Sequence, residues 1–259
     1  MVITGASDGI GAELARQLAK PGVVLVLAAR RKDALELVAN DCAAKGAKTL
    51  VVPTDVSIES DCRNLIAKAI EAFGRIDVLV NNAGVSMHAA FDDIESTDVY
   101  EKLMRINLMG SIWPTHAAFP HLKKSRGQVI AVSSLAGLVG VPERTTYCAT
   151  KFAQTGFFEA LRVEAEPLGV HVGIIYPGVV ATEIRRNGWN ADGERAGVSG
   201  LAEEGAMSVQ ECASLIVDAI DQRKRDVVMS AKGKLGRWLK LLAPSVVDNL
   251  ARKALVNKH

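Results

Sequence analysis

The stretch VITGASDGIG (Val2–Gly11) decides the fold, because three strand-forming residues lead directly into a glycine-rich turn and then into a helical pattern. Gly5 permits a tight turn, Gly9 lets the backbone approach a pyrophosphate, and Gly11 lets the helix pack closely on the strand. Free N–H groups at the start of such a helix bind phosphate. The spacing Gly-x3-Gly-x-Gly differs from the commoner dinucleotide fingerprint, and a simple strand–helix connection is the alternative. The residues predicted to contact a dinucleotide here are Gly5, Ser7, Asp8, Gly9, Ile10 and Gly11.

Beyond this turn, short apolar runs alternate with segments of helical length. The predicted strands are Val2–Thr4, Val23–Ala29, Lys48–Pro53, Ile76–Asn81, Gln128–Ser133, Val170–Tyr176 and Asp226–Ser230. The predicted helices are Ala12–Lys20, Lys32–Lys45, Glu59–Phe73, Thr97–Leu122, Tyr147–Pro167 and Ser208–Gln222. Most strands are apolar on consecutive positions, as expected when both faces are covered. The sequence therefore predicts an α/β fold for residues 1–231, a Rossmann-type doubly wound parallel sheet of about seven strands with helices on both faces.

Composition excludes several classes of protein. The chain has 259 residues, of which 49% are hydrophobic and 23% charged, so we expect an ordered protein. Its four cysteines form no CxxC pair and its five histidines no HExxH, so neither a disulfide frame nor a metal site is predicted. No apolar stretch is long enough to span a bilayer, and no signal sequence precedes the first strand. With a net charge of +2, we expect a cytoplasmic protein without a nucleic-acid partner.

The end of the second predicted strand distinguishes between two dinucleotides. An acidic residue at this corner would bind the adenosine ribose of NAD. Here the sequence is AARR, with Ala29 at the place of the acid, followed by Arg30 and Arg31. An arginine can hold the 2′-phosphate of NADP, although both arginines could simply be solvated, and the acidic Asp8 opposes NADP. We interpret the site as favouring NADP over NAD.

Two further turns follow the next strands. Asp55 is placed where a carboxylate can bond an adenine amino group, and Val56 where it can pack on the ring. The sequence NNAG (Asn81–Gly84) offers amides that can tie neighbouring loops together, and its Gly84 leaves room for a cofactor. Either turn alone could be an ordinary loop. The cofactor contacts predicted in the second turn are Asn82, Ala83 and Gly84.

The stretch YCATK (Tyr147–Lys151) places a phenol and an ammonium four residues apart, on one face of a helix. A phenol with a pKa near 10 is a poor acid at neutral pH, and a fixed ammonium lowers that pKa. Ser134 lies 13 residues earlier, at the end of a strand, where it can donate a hydrogen bond to a substrate oxygen, and Ser133 is its rival. By itself the Tyr–Lys pair could be a surface helix with an extended lysine.

In their order and spacing, the motifs TGASDGIG, NNAG, VSSLAG, YCATKFA and PGVVAT, together with Asp55 and Asn107, resemble the short-chain dehydrogenase/reductase family in its single-domain subgroup. The resemblance covers residues 1 to about 230. VSSLAG and YCATKFA are especially similar to the branch of type 1 eleven-beta-hydroxysteroid dehydrogenases and related reductases of hydrophobic carbonyls. This resemblance implies a catalytic set of Asn107, Ser134, Tyr147 and Lys151.

The resemblance also implies individual roles. Asn107 would anchor a water that feeds protons toward Lys151, and Lys151 would hold the nicotinamide ribose. Thr182 would contact the carboxamide, and the segment Glu183–Met207 would close over the substrate. Self-association as a homodimer or homotetramer is also implied, through the two long helices that flank the site. The predicted contacts after the sixth strand are Pro177, Gly178, Val180 and Thr182.

Residues 232–259 are predicted to form a basic amphipathic helical extension. They carry seven Lys or Arg and one Asp, and Leu235, Trp238, Leu239 and Leu242 follow helical spacing. Basic charge beside an apolar stripe suits a helix on an anionic membrane surface. The same stripe could pack on the protein or on a second subunit, or cover an apolar substrate cleft. Any membrane contact is expected to be peripheral and reversible.

These patterns predict an oxidoreductase that transfers hydride between NADP(H) and an alcohol/carbonyl pair on an apolar substrate such as a steroid, lipid or xenobiotic ketone. A 3-ketoacyl-thioester reductase is an alternative within the same fold. A non-catalytic NADP-binding or membrane-associated scaffold is an alternative of another class, and it would not require a Ser-Tyr-Lys-Asn set.

Overall fold

The computed structural model describes residues 1–182, 188–197 and 205–256, and within them one seven-stranded sheet dominates the chain. Its strands are β1 (Val2–Thr4), β2 (Val24–Ala29), β3 (Lys48–Pro53), β4 (Val78–Asn81), β5 (Gln128–Val132), β6 (His171–Tyr176) and β7 (Asp226–Val228). Every pairing is parallel, and the strand order is β3-β2-β1-β4-β5-β6-β7. The predicted doubly wound parallel sheet is confirmed. The order reverses between β1 and β4, where open α/β sheets bind their ligands.

Nine α-helices are described. They are α1 (Gly9–Leu18), α2 (Lys32–Ala44), α3 (Glu59–Phe73), α4 (Asp98–Met104), α5 (Gly110–Ser125), α6 (Thr145–Ala165), α7 (Val209–Asp221), α8 (Ala231–Leu242) and α9 (Pro244–Val256). Helices α1, α2 and α7 share an apolar cluster with one face of the sheet, and α3, α5 and α6 share another with the opposite face. Consecutive β1 residues divide between the clusters, Ile3 into the first and Val2 into the second, so both faces are buried. None of the described helices is long and apolar enough to cross a membrane.

The prediction of one continuous helix over Thr97–Leu122 was wrong, because the helix is interrupted. A π-helical turn, Arg105–Met109, separates α4 from α5 and carries the buried Asn107. Gly110 comes so close to the turn after β3 that a Cβ on it would lie 2.9 Å from the Val56 carbonyl oxygen. Pro114 lacks the N–H that a regular helix would bond to residue 110. Wide turns of this kind are frequent at functional sites, and here the turn aims an amide side chain inward.

The C-terminal extension forms the two helices α8 and α9. Lys240 fastens α8 to the body, because its Nζ donates to the Leu138 carbonyl at 3.1 Å and lies 4.5 Å from the Phe152 ring centroid. Most of the apolar stripe is exposed, and within it Leu239 alone is half-buried. Trp238 keeps 64% and Leu242 83% of its surface exposed. The boundary between a catalytic domain 1–231 and an extension 232–259 stays a prediction.

Candidate active site

A cleft of about 630 Å³ opens at the carboxyl ends of β1 to β4, at the switch point of the sheet. The turns after all four strands line it, and Ile106, Thr182, Trp189 and Arg195 contribute from other parts of the chain. Most of the residues predicted to bind the cofactor line this cleft. They are Gly5, Ser7, Asp8, Gly9, Ile10, Arg30, Arg31, Asp55, Val56, Asn82, Ala83, Gly84 and Thr182.

At Gly5 and Gly11 the glycine turn leaves no space for a side chain. Gly5 has φ +66°, and a Cβ there would lie 2.9 Å from the Ala83 Cα. A Cβ on Gly11 would lie 2.3 Å from the Gly5 carbonyl oxygen, which no native contact allows. Gly11 thus packs α1 against β1 behind the turn and does not line the cleft. The turn can therefore bring backbone N–H groups close to a phosphate.

Thr4 and Asn82 join the turn after β1 to the turn after β4. The Asn82 Nδ2 donates to the carbonyls of Thr4 at 3.0 Å and Gly5 at 3.2 Å. In return, the Thr4 hydroxyl accepts from the backbone N–H of Asn82 at 3.0 Å and Ala83 at 3.1 Å. The prediction that the NNAG amides tie neighbouring loops together is confirmed. The sequence analysis missed Thr4, whose hydroxyl is the other half of this link.

The charges around the phosphate turn are arranged by Asp8. One of its carboxylate oxygens accepts from the Gly9 N–H at 2.7 Å and caps α1, and the other lies 3.4 Å from Arg31 Nη2. A carboxylate at a helix N-terminus and beside an arginine is largely compensated. Among the described residues Arg30 has no carboxylate partner. Asp8 therefore opposes an anionic ligand less than its sequence position indicated, and Arg30 is the cation available to one.

The turn after β3 is rigid. The Asp55 Oδ1 accepts from the backbone N–H of Ser57 at 2.9 Å and from its hydroxyl at 2.7 Å. The Asp55 N–H donates to Asp61 at 3.1 Å, and the buried Val56 presents an apolar wall beside it. This combination of a fixed carboxylate and an apolar surface suits a nucleobase.

The segment after β6 supplies an unpaired polar atom. The Thr182 Oγ1 is buried and has no hydrogen-bond partner among the described residues. Its methyl group faces the phosphate turn, 3.4 Å from the position of a Cβ on Gly9. Pro177, Gly178 and Val180 lie behind it, outside the cleft lining. Because a buried hydroxyl is normally hydrogen-bonded, this atom fits a ligand that supplies the missing partner, as a nicotinamide dinucleotide would.

The four predicted catalytic residues meet beside the Gly84 end of the cleft. Tyr147 and Lys151 lie on α6, with Lys151 Nζ 5.9 Å from the Tyr147 ring centroid, and both are buried. The Ser134 hydroxyl, just after β5, is hydrogen-bonded to the Tyr147 phenol. Ser133, the rival serine, instead faces the Lys151 backbone carbonyl at 3.4 Å. A Cβ on Gly84 would stand 3.8 Å from Lys151 Nζ, so the lysine borders the cleft.

Burial shifts the pKa values of Tyr147 and Lys151 in opposite directions. It raises the pKa of Tyr147 above 10, whereas the hydrogen bond from Ser134 and the positive charge of Arg144 lower it. Burial lowers the pKa of Lys151 from 10.5 to about 8. The Lys151 Nζ donates to the Val132 carbonyl at 3.0 Å and to Gln154 Oε1 at 3.1 Å. Neither partner carries a charge that would offset its desolvation.

Asn107 holds the loop after β4. Its Oδ1 accepts from the Val85 N–H at 2.8 Å, and its Nδ2 donates to the Val85 carbonyl at 2.9 Å and to Thr150 at 3.1 Å. Its backbone carbonyl faces the Gln154 side chain, with Nε2 3.5 Å away. The side chain of Asn107 thus makes three hydrogen bonds that position its neighbours, and its backbone oxygen faces Gln154, which is itself a hydrogen-bond partner of Lys151. Its predicted role as the anchor of a water stays a prediction.

The described part of the predicted covering segment, residues 188–197, forms a hairpin against the loop after β4. The Trp189 N–H donates to the Ser86 carbonyl at 2.9 Å, and the Trp189 carbonyl accepts from the His88 N–H at 3.0 Å. Trp189 packs in an apolar cluster with Tyr147 and Met87. At the end of the segment, the Met207 N–H donates to the Val179 carbonyl at 2.9 Å. Residues 183–187 and 198–204 of the predicted segment lie outside the described residues.

Sequence reasoning missed several residues that the fold brings to the site. Arg144 and Gln154 contact the Tyr–Lys pair, and Arg195 lines the cleft. Arg144 lies three and Gln154 seven positions from Tyr147 on the same helical face, a signal that periodicity could have revealed. Arg195 had no such signal, because only the hairpin brings it to the cleft.

Comparisons with known proteins agree with this geometry. A family model described as short chain dehydrogenase matches residues 1–192. The chain is 37% identical over 250 residues to 11-beta-hydroxysteroid dehydrogenase-like 4A of Arabidopsis thaliana, covering 95% of this chain and 81% of that protein. It is 33% identical over 259 residues to dehydrogenase/reductase SDR family protein 7-like of Dictyostelium discoideum, covering 98% and 80%. An alcohol dehydrogenase of the archaeon Thermococcus sibiricus, solved with 5-hydroxy-NADP, superposes with a TM-score of 0.75 at 26% identity, covering 87% of this chain and 92% of that one.

Proposed function

The chain belongs to the short-chain dehydrogenase family, and from that premise we propose that it interconverts a secondary alcohol and a ketone on an apolar substrate, with NADP(H) as its cofactor. The chain is thus an oxidoreductase. The observation that supports the reaction best is the buried Tyr147 phenol, hydrogen-bonded to Ser134 and flanked by Lys151 at the Gly84 end of the cleft. When bound, the dinucleotide supplies or accepts the hydride.

The residues of this chain handle the proton and the oxygen. Ser134 donates a hydrogen bond to the substrate oxygen and stabilises its developing negative charge. Tyr147 Oη gives a proton to that oxygen in reduction and takes one from it in oxidation. Lys151 keeps positive charge near the phenol, and Asn107 fixes the loop after β4 through Val85. Trp189 and Met87 exclude water on the side away from the glycine turn.

NADP is supported from two directions. The related archaeal alcohol dehydrogenase was solved with an NADP derivative. In this chain Arg30 lines the cleft at the corner after β2, where Ala29 takes the place of a ribose-binding acid. The cofactor would be held by the glycine turn, Asp55, the NNAG turn and the buried hydroxyl of Thr182.

Replacing Arg30 by Ala is expected to raise the Kd for NADPH about 10- to 100-fold and to leave the Kd for NADH within about twofold. A charge-assisted hydrogen bond to a phosphate contributes about 1.5–3 kcal/mol, and NADH lacks the 2′-phosphate. Quenching of tryptophan fluorescence on titration gives both constants without any turnover. Arg31→Ala is the matched control, with a smaller effect expected because Arg31 already pairs with Asp8. Equal weakening for both dinucleotides would contradict an NADP-specific role of Arg30.

The apolar substrate is supported by the side chains around Tyr147 and by the relatives. Met87, Ala89, Val99 and Leu103 form a buried apolar cluster with the tyrosine. Several relatives are named 11-beta-hydroxysteroid dehydrogenase-like, which favours a steroid-sized carbonyl. Oxidation of NADPH should be followed across ketosteroids, alkyl and aryl ketones, aldehydes and 3-ketoacyl thioesters. Preference for the thioesters would favour the alternative reductase, and no oxidation with any carbonyl would favour a binding protein.

We also propose peripheral membrane contact through α8. Leu235, Trp238, Leu241 and Leu242 are exposed by 65%, 64%, 70% and 83%, and Lys234 and Arg237 lie among them. Each apolar side chain gains about 1.5–3 kcal/mol when it leaves water, so the helix could rest on an anionic surface. Alternatively, a second subunit buries the same face in a homodimer. The family resemblance implies such self-association.

Replacing both Trp238 and Leu242 by Glu is expected to lower partitioning onto phosphatidylserine-containing liposomes by more than about tenfold. Two apolar side chains would no longer enter the bilayer, and two negative charges would reduce the positive charge of α8. Co-sedimentation measures this directly. Leu37→Glu on α2, where Leu37 is 66% exposed, is the matched control and should leave partitioning unchanged. Partitioning that does not fall in the double variant would exclude α8 as the membrane contact, and a change from dimer to monomer on size exclusion would instead identify a subunit interface.

A further inference from the structure

Arg144 is a buried arginine beside the residues proposed to transfer the proton. It immediately precedes α6, and only 8% of its surface is exposed. Its guanidinium carbon lies 5.7 Å from the centroid of the Tyr147 ring, and its Nη1 donates to the Ser86 hydroxyl at 3.2 Å. The guanidinium therefore stands next to the phenol with little access to water.

We propose that Arg144 is a second fixed cation of the acid-base centre, which keeps the Tyr147 phenol acidic independently of the charge on Lys151. The inference rests on the proposed role of Tyr147 and deepens it. A cation within about 6 Å of an aromatic ring is attracted to its face. The same charge favours the ionised form of the phenol, because an opposite charge at about 4–6 Å typically lowers a pKa by about one unit or more.

Lys151 alone does not keep a positive charge beside the phenol at every pH. It lies slightly farther from the ring, at 5.9 Å, and its Nζ donates to an uncharged carbonyl and an uncharged amide. Because burial lowers its pKa to about 8, the lysine loses its proton in mildly alkaline solution. A guanidinium stays charged throughout the range in which enzymes work. Arg144 therefore supplies the charge that persists when that of Lys151 does not.

The other polar groups around Tyr147 do not replace it. Ser134 forms an uncharged hydrogen bond, and burial keeps the Cys148 thiol protonated by raising its pKa. Tyr100 of α4 packs in the same apolar cluster. In the adjoining loops, His88 Nε2 lies 3.0 Å from Glu143 Oε2. A His88→Gln variant removes that pair and separates its influence from that of Arg144.

The test is the pH dependence of kcat/KM for alcohol oxidation, in which the phenolate is the active form and the rate rises with pH through the pKa of Tyr147. In Arg144→Gln we expect this acidic limb to move upward by about one pH unit or more. In Arg144→Lys, which keeps a positive charge, the limb should stay close to that of the wild type. Ser86→Ala, which releases only the anchor, should give a smaller upward move.

Phenolate absorbance near 295 nm, taken as the difference from Tyr147→Phe, gives the same pKa without turnover and covers the case in which Arg144→Gln is inactive. An unchanged limb and an unchanged phenolate titration in Arg144→Gln would overturn the proposal and leave Arg144 a packing residue. A Lys variant as shifted as the Gln variant would overturn it too. The proposed function would fail separately, if Tyr147→Phe kept its turnover.

Discussion

Replacing Tyr147 by Phe is expected to lower kcat for carbonyl reduction by about 10²- to 10⁴-fold, because the variant loses the phenol that stands beside Ser134 and is proposed to give the proton. Phenylalanine keeps the ring and its apolar contacts but has no hydroxyl. The rate of NADPH oxidation with the best carbonyl of the panel measures the effect. The Kd for NADPH should change by less than about threefold, so the loss would lie in the chemical step.

Tyr176→Phe is the matched control for this experiment. Tyr176 is also a buried tyrosine, but it ends β6 in the apolar cluster shared with α3, α5 and α6 and does not line the cleft. We expect its removal to leave kcat within about twofold. Turnover by Tyr147→Phe close to that of the wild type would contradict the proton-transfer role, whatever the cofactor affinity. Loss of activity in both variants would point to damage of the fold instead.

Replacing Lys151 by Met is expected to abolish most of the activity and, at neutral pH, to stabilise the protein. Burial lowers the pKa of Lys151 from 10.5 to about 8, so below about pH 8 the folded protein holds a charge that the unfolded chain holds in water at less cost. A shift of this size corresponds to about 3 kcal/mol. Met has a similar volume and carries no charge. Part of the gain is offset because the Val132 carbonyl and Gln154 lose a donor, at about 1 kcal/mol each.

The pH dependence of this stabilisation is the sharper test. Between about pH 8 and 10.5 the unfolded wild type binds more protons at this lysine than the folded protein does, so wild-type stability rises with pH in that window. The advantage of Lys151→Met should therefore shrink by up to about 3 kcal/mol between pH 7 and pH 10.5. Urea unfolding of the cofactor-free protein at several pH values measures it. Lys68→Met, at an exposed position on α3, should show no such trend. A difference in unfolding free energy between Lys151→Met and the wild type that stays constant across this range would contradict a buried Lys151 whose partners are uncharged.

The buried charge of Lys151 destabilises the fold, and Arg144 is buried beside the same phenol. Two cations flank one phenol inside the protein, and one of them, Lys151, carries a desolvation cost that an apolar side chain would not. Strongly perturbed titratable groups of this kind are typical of catalytic sites. The site is therefore built at the expense of stability, and variants that gain stability here are expected to lose activity.

The sheet and most helices could be predicted because their signals are local. Parallel strands buried on both faces appear as continuous apolar runs, as in VLVLAA of β2, and the ends of β1 and β3 were predicted to the residue. Helix α3 was predicted with its observed bounds, helped by Gly74, which ends it in a left-handed conformation. The break between α4 and α5 could not be predicted, because the close approach of Gly110 to Val56 belongs to a distant part of the chain.

The sequence by itself determined the strand–turn–helix unit and the doubly wound sheet, since periodicity and turn chemistry along the chain are enough to define them. The set of Asn107, Ser134, Tyr147 and Lys151 came from the resemblance to the family. Only the tertiary structure decided that Asp8 is compensated by Arg31, that Arg144 lies over the tyrosine, and that the apolar face of α8 is left exposed. Burial and the distances between charges control these last properties. Both depend on which distant segments the fold brings together.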